Sequence, residues 1–357
     1  MSKIHNFSAG PAILPQEVLE QAAAACTNFY KGLSILEISH RDPSFVDVME
    51  EARSRAKQLM GLGNDYTALF LQGGASLQFA MVPMNLLKTN AAYLNTGTWA
   101  TAAIKDAQLY GEVAVVASSE DTNFNYIPKN VVVPDTADYF HITTNNTIFG
   151  TRITNLPDIP QNVPLVADTS SEMFSRQMDF SRFALIYAGA QKNMGPAGTT
   201  LVVVKNDILG KTGRSLPKML DYQVQIKGES MHNTPPVFAV YCSMLVLRWI
   251  EKIGGLEAIE ARNNAKATLL YQEIDSNPLF KAAVADPIDR STMNITFVME
   301  NPELEEKFML MTKEANISGI KGHRSVGGFR ASIYNAMEIE SVQVLVDVMK
   351  QFTAKFG

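Results

Sequence analysis

The chain has 357 residues, 46% hydrophobic and 19% charged, which is enough apolar material for a sizeable core and argues against disorder. Its 31 basic and 36 acidic residues are interspersed and leave a net charge of -5, which argues against general nucleic-acid or membrane binding but allows a small basic pocket for an anionic metabolite. Two cysteines, Cys26 and Cys242, are too few for a disulfide framework and fit a reducing compartment.

The N-terminus, "MSKIHNFSAGPAILPQEVLEQAAAA", lacks the long apolar core of a signal peptide, so the expectation is a cytoplasmic protein. Next comes "ISHRDPSF", in which His40 and Arg41 stand side by side. "YTALFLQ" predicts a strand, "GGAS" a turn and "LQFAMVPMNLL" a helix. Free backbone N–H groups at such a helix start, near Ala75 and Ser76, can bind a phosphate with help from the helix dipole. The motif is neither the Walker pattern nor GxGxxG, and a helix capped after two glycines is frequent. "AAYLNTG" predicts the next strand and "TWATAAIKDAQLYG" its helix, with Trp99 at the junction. That indole can stack on a flat heteroaromatic ring, although core filling is the commoner use of a tryptophan.

"EVAVVAS", "YFHITTN", "VPLVADTS", "FALIYAGA" and "TTLVVVK" follow as strands. Strands apolar throughout imply burial on both faces, hence an α/β architecture with a mostly parallel seven-stranded sheet flanked by helices. Ligand groups in such sheets gather at the carboxyl ends of the strands. Asp168 ends one apolar run there, where a carboxylate can pair with a protonated ring nitrogen or simply cap a loop. Lys192 follows the next strand and precedes "NMGPAG". Fixed and partly desolvated, its amine would have a lowered pKa and attack an aldehyde. Taken alone, a solvated loop lysine is the commoner arrangement.

"VFAVYCSMLVLRWI" is shorter than a membrane span and predicts a buried core helix. From about residue 255 the character changes. "STMNITFVM" and "VGGFRASIY" predict strands, while "PELEEKFMLMTKEANI" and "EIESVQVLVDVMKQFTAKFG" predict helices. The expectation is a large domain over residues 16–254 and a small α+β domain from residues 255–357 with residues 1–15 packed on it. "IKGHRSVGGFR" carries a second His-Arg pair, His323 and Arg324, and Arg330. The two pairs could converge on one dianion, and an arginine entering an apolar strand needs a carboxylate partner.

"NFSAGPAILP", "LFLQGGASLQFAMVPMNLL", "ADTSSEMFSR", "YAGAQKNMGPAG", "HNTPPVF" and "GHRSVGGFRASIYNA" together resemble the phosphoserine aminotransferase family. These are class-V pyridoxal-phosphate enzymes of the aspartate-aminotransferase fold type, and the match runs over nearly the whole chain. The resemblance implies pyridoxal 5'-phosphate as cofactor, with Lys192 forming the Schiff base and Asp168 holding the ring nitrogen. It implies Trp99 stacking on the ring, Thr147 on the ring hydroxyl, and Ala75, Ser76 and Gln191 at the phosphate. Asn233 and Thr234 would reach the neighbouring subunit's cofactor in a homodimer with shared sites. His40, Arg41, His323 and Arg324 would surround the substrate's phosphate or the distal carboxylate of L-glutamate, and Arg330 would hold the α-carboxylate. Some members carry an arginine or cysteine in the Gly-Gly turn where this chain has "GGAS". No metal is implied.

Two other readings stand beside this one. A cysteine desulfurase-like enzyme would need a reactive cysteine on a mobile C-terminal loop, and no cysteine follows Cys242. A non-catalytic phosphate-ligand or nucleotide-binding module would use the Gly-Gly turn without chemistry.

Overall fold

Strands apolar on both faces need cover on both faces, and the fold supplies it. A computed structural model describes residues 3–357. In chain order it holds β1 (His5–Asn6), α1 (Gln16–Thr27), α2 (Pro43–Leu59), β2 (Tyr66–Leu71), α3 (Gly74–Leu86), β3 (Asn90–Asn95), α4 (Thr98–Ala107), β4 (Glu112–Ser118), β5 (Phe140–Thr143), β6 (Leu165–Asp168), β7 (Leu185–Gly189) and β8 (Thr200–Lys205). Then follow α5 (Tyr222–Lys227), α6 (Val237–Lys252), α7 (Gly255–Ser276), β9 (Phe280–Ala282), β10 (Asn294–Met299), α8 (Glu305–Glu314), β11 (Ile317–Ser318), β12 (Phe329–Ser332) and α9 (Ile339–Phe356).

Seven strands make one sheet in the order β2-β8-β7-β6-β5-β3-β4. The run from β7 to β4 is parallel, while β8 lies antiparallel to both β7 and β2. The expected α/β class and mostly parallel seven-stranded sheet are borne out. Alternate residues of each strand feed two cores. Phe70, Leu94, Phe140, Ile186 and Val203 face the side covered by α2 and α6. Leu69, Tyr93, Val166, Tyr187 and Val202 face the side covered by α3 and α4. Each such side chain contributes roughly 1.5–3 kcal/mol on burial. "EVAVVAS" differs from the other runs: as β4 it is one of the sheet's two edge strands, and Val115 stays exposed.

Local chemistry explains where the flanking helices begin and end. In α2 the Asp42 carboxylate accepts from the Ser44 N–H at 2.9 Å, and Pro43 opens the first turn with its fixed φ. The apolar "VFAVYCSMLVLRWI" is α6, packed across α2 with Val240, Met244, Leu247 and Ile250 buried. Among the described residues no helix is long and apolar enough to cross a membrane.

The C-terminal third forms its own layer. β10 lies between β12 and β9 in an antiparallel sheet. Its core is aromatic: Phe308 sits 5.0 Å from Phe280 and 5.3 Å from Phe352, ring centre to ring centre. β1 pairs in parallel with β11, so the N-terminal strand joins this layer.

Candidate active site

β3, β5, β6 and β7 end at one edge of the sheet, and the loops that follow them carry the polar groups. After β7 the chain turns on itself. The N–H groups of Met194 and Gly195 both donate to the Ala190 carbonyl, at 3.1 and 2.9 Å, and Ala190 N–H bonds Thr199 O at 3.0 Å. Gly195 is required there, because a Cβ would lie 2.6 Å from Ser243 Oγ on α6. Lys192 is held inside this turn.

The Lys192 amine donates to Thr147 Oγ1 at 2.8 Å. Desolvation lowers its pKa to about 8, with the nearby Arg330 charge adding to the shift and the Asp168 carboxylate opposing it. Asp168 is buried at the end of β6, where its Oδ1 accepts from Ser170 N–H at 2.9 Å. Burial pushes its carboxyl up, while Lys192 and the Ser170 bond hold it down. Ser170 Oγ in turn accepts from Gly189 N–H at 3.1 Å and ties the β6 loop to β7. Sequence reading did not single out Ser170; its signal is the "DTSS" run directly after the carboxylate.

Arg330 enters from β12. One Nη donates to the Thr147 carbonyl at 3.3 Å, while Nε is buried without a partner. Burial pulls the guanidinium below its ordinary pKa. Thr147 thus touches both cations, Lys192 through its hydroxyl and Arg330 through its carbonyl. An arginine with a buried donor unused is set to take an anion.

An uncapped helix start lies at the end of β2. Gly73 has φ +91°, and a Cβ there would lie 2.4 Å from Leu77, so only glycine makes this turn into α3. No side chain caps the helix, which leaves the N–H groups of its first turn, including Ala75 and Ser76, free to point outward. Trp99 sits in the first turn of α4 and is 38% exposed, so it is not filling the core.

The remaining predicted residues lie further out. Gln191 packs against Gly189 and accepts from Ala12 N–H through its carbonyl at 2.9 Å. Asn233 lines a cavity of about 290 Å³ with Gln72 and Gly73, and the Thr234 carbonyl accepts from Gln72 Nε2 at 2.7 Å. His323 and Arg324 sit on a loop closed by Gly322 N–H to Gly328 O at 2.8 Å. Burial and the Arg330 and Arg324 charges lower the His323 pKa. His40 is buried with its Nε2 unpaired, and Arg41 beside it is exposed. Among the described residues neither hydrogen-bonds nor ion-pairs with the Lys192 cluster. Cys242 is buried in α6 with its thiol pushed up to about 11 by burial, which removes it as a nucleophile.

Comparison with known proteins settles the family. Residues 4–345 match the model for aminotransferase class-V. The chain belongs to the class-V aminotransferase family. Among its class-V relatives, a phosphoserine aminotransferase of Flavobacterium johnsoniae is 64% identical and is matched over 99% of each chain. The solved phosphoserine aminotransferase of Bacillus circulans subsp. alkalophilus superposes with a TM-score of 0.96 at 45% identity, covering 99% of both chains. That of Trichomonas vaginalis, solved with pyridoxal phosphate bound, gives 0.91 at 37% identity over 98% of this chain and 100% of that one. The resemblance drawn from the motifs is therefore borne out, and the chain is a pyridoxal-phosphate-dependent aminotransferase.

Proposed function

We propose that the chain transfers the amino group of L-glutamate to 3-phosphohydroxypyruvate, giving O-phospho-L-serine and 2-oxoglutarate. On this reading it serves serine biosynthesis in the cytoplasm and also accepts 3-hydroxy-2-oxo-4-phosphobutanoate, a reaction of pyridoxine biosynthesis. The observation that carries the reading is the Thr147 bridge, with a near-neutral amine on one side and a partly unpaired guanidinium on the other. An α-carboxylate on Arg330 sets the neighbouring carbon within reach of Lys192.

The residues present fit pyridoxal 5'-phosphate. The uncapped turn at Ala75 and Ser76 suits its phosphate, with Gln191 beside it. The buried Asp168 carboxylate suits a protonated ring nitrogen, Thr147 a ring hydroxyl, and the exposed Trp99 indole a ring face. When bound, the cofactor supplies an aldehyde and an electron-withdrawing ring. Asp168 contributes the negative charge that keeps such a nitrogen protonated, and its burial strengthens that pairing. Lys192, once free, takes the α-proton of the bound amino acid on Nζ as general base. Its lowered pKa keeps a substantial fraction of that amine neutral near pH 7–8.

Both 2-oxo acids carry a second anionic group, a phosphate or a distal carboxylate. The arginines Arg41 and Arg324, with His40 and His323 as hydrogen-bonding partners, suit that second charge, and without an arginine in the "GGAS" turn they bear more of it. We read the assembly as a homodimer in which Asn233 and Thr234 reach the neighbouring cofactor. Within each chain we take residues 16–254 as the large domain and residues 3–15 with 255–357 as the small one, residues 1 and 2 of that expected division lying outside the described residues.

Steady-state assays of the cofactor-loaded protein with L-glutamate and each phosphorylated 2-oxo acid test this directly. O-Phospho-L-serine formation is expected. A protein that shows the cofactor's visible absorbance but makes no product from either acceptor overturns the substrate assignment. Borohydride treatment should tag the peptide containing Lys192, and a colourless protein that resists tagging would instead favour a non-catalytic binding protein.

A further inference from the structure

Lys266 lies on the inner face of α7, only 1% exposed. Among the described residues it has no carboxylate within salt-bridge reach. Its Nζ donates instead to two backbone carbonyls, Ile333 at 2.8 Å and Tyr334 at 2.7 Å. Burial, with the neighbouring Arg262 charge, pulls the amine well below the ordinary lysine value. A neutral amine has two N–H groups, and two acceptors are present.

Those carbonyls follow the end of β12. The pairing of β12 with β10 ends at Asn294 and Ser332 with one further bond, Ile333 N–H to Met293 O at 2.9 Å, so the Ile333 and Tyr334 carbonyls lie past the end of the ladder. An apolar residue in place of Lys266 would leave the Ile333 carbonyl buried and unpaired, and the Tyr334 carbonyl with only the Met337 N–H at 2.9 Å. Three residues before Ile333 stands Arg330. Its guanidinium has one protein hydrogen bond, the 3.3 Å contact to Thr147 O, so its aim is set chiefly by the backbone that carries it.

The same helix fixes the other side of the site. Asn263, one turn before Lys266, donates to Asn335 Oδ1 at 2.8 Å. Asn335 N–H donates to Asn193 Oδ1 at 3.1 Å, and Asn193 is the residue after Lys192. Tyr334 O–H donates to Ala9 O at 2.7 Å and so pins the N-terminal segment that covers Lys192. The stretch from Ile333 to Asn335 therefore links the strand of Arg330 to the turn of Lys192, and α7 holds it from behind.

We infer that Lys266 is a positioning residue: by holding the Ile333 and Tyr334 carbonyls it aims Arg330 at the substrate carboxylate at a fixed separation from Lys192. The inference rests on the proposed reading of Arg330 as the carboxylate site. Lys266 touches neither substrate nor cofactor; it acts through the backbone.

The test uses the pyridoxal-phosphate-loaded protein and glutarate, a dicarboxylate that cannot react. Calorimetry measures glutarate binding to the wild type and to Lys266→Met, Lys266→Gln and Lys266→Arg. Cofactor affinity is measured in parallel by absorbance. Lys266→Met should weaken glutarate binding about tenfold while cofactor affinity stays within about twofold, and Lys266→Arg, which keeps donors for both carbonyls, should recover much of the loss. If the Met variant does not fold, the uncharged Gln variant, with its shorter reach, carries the same comparison.

Unchanged glutarate affinity in a folded Met or Gln variant overturns the role. A loss shared equally by glutarate and cofactor marks general loosening and also overturns it. If glutarate fails to bind the wild type, the reading of Arg330 itself falls, which is a distinguishable result.

Discussion

Lys192 and Arg324 are both cations assigned to one cleft, yet the chain treats them in opposite ways. Lys192 is desolvated, bonded to Thr147 and flanked by Asp168 and Arg330, so its titration is set by the fold. Arg324 is exposed on a loop whose bonds are mostly internal. The floor of the site is preorganised, its electrostatic cost already borne by the folded core. Arg324 at the rim stays solvated and gains its strength only when an anion arrives. Changes at the floor should therefore act on the chemical step, and changes at the rim on affinity.

Lys192→Ala gives the largest effect. Amino transfer from glutamate should fall about a thousandfold or more, because both the covalent anchor and the general base are lost. Folding should survive, since the packing lost with the lysine stem is offset by removal of a desolvated amine. Near-normal turnover in steady-state assays would erase the distinction between floor and rim.

Asp168→Asn comes next. The amide keeps the shape of the carboxylate but not its charge, and the other buried carboxylate in the turn after β6, Glu172, is already paired with Arg176 at 2.9 Å. Turnover should drop about a hundredfold, within the range seen when one preorganised electrostatic partner is removed. Cofactor uptake followed by absorbance should persist. A variant that keeps wild-type turnover would mean that Asp168 serves only to accept the Ser170 N–H.

The pH dependence tests the floor without mutation. Capture of the cofactor's aldehyde requires neutral Nζ, so the rate of absorbance change on mixing cofactor-free protein with pyridoxal phosphate should rise with pH. The rise should have its midpoint near 8 and level off above it. From pH 7 to pH 8 the neutral fraction grows about fivefold for such a group. A midpoint near the ordinary lysine value would show that the amine is solvated after all.

How much of this was legible in the sequence follows the same division. Asp168 and Lys192 stand where apolar runs stop, and a chain that ends a buried strand on a charge announces the sheet's carboxyl edge. Uncapped glycines before α3 told the same story. The reversal of β8 was invisible, because a strand buried on both faces reads alike in either direction. Nor did the sequence mark β4 as an edge, since "EVAVVAS" is as apolar as the strands that lie inside.

Lys266 lay beyond reach for a different reason. Its partners are carbonyls more than sixty positions away, which leave no trace in composition or spacing. For Trp99 the sequence allows both stacking and core filling, and its 38% exposure argues against the core. His40 and Arg41 stand apart from the Lys192 cluster, and the hydrogen bonds around them, Arg41 N–H to Ser39 Oγ and Asp42 N–H to Ser39 O, are local to their own turn.

Val326→Ala is the mildest and most discriminating change at the rim. The loop bearing His323 and Arg324 is anchored by Val326, which packs against Phe124, Ile148 and Phe149. Phe149, with Asn146, also crowds Gly97 at the start of α4, so the anchor belongs to the same surroundings as Trp99. Removing two methyl groups from a partly buried contact loosens the loop without touching a charge. Apparent KM for the phosphorylated 2-oxo acid should rise about twofold with kcat unchanged, the pattern of lost uniform binding. The effect should fade at high salt, where screening already weakens the rim cations. A fall in kcat instead, with KM unmoved, would show that the loop shapes the chemical step and that floor and rim are one unit.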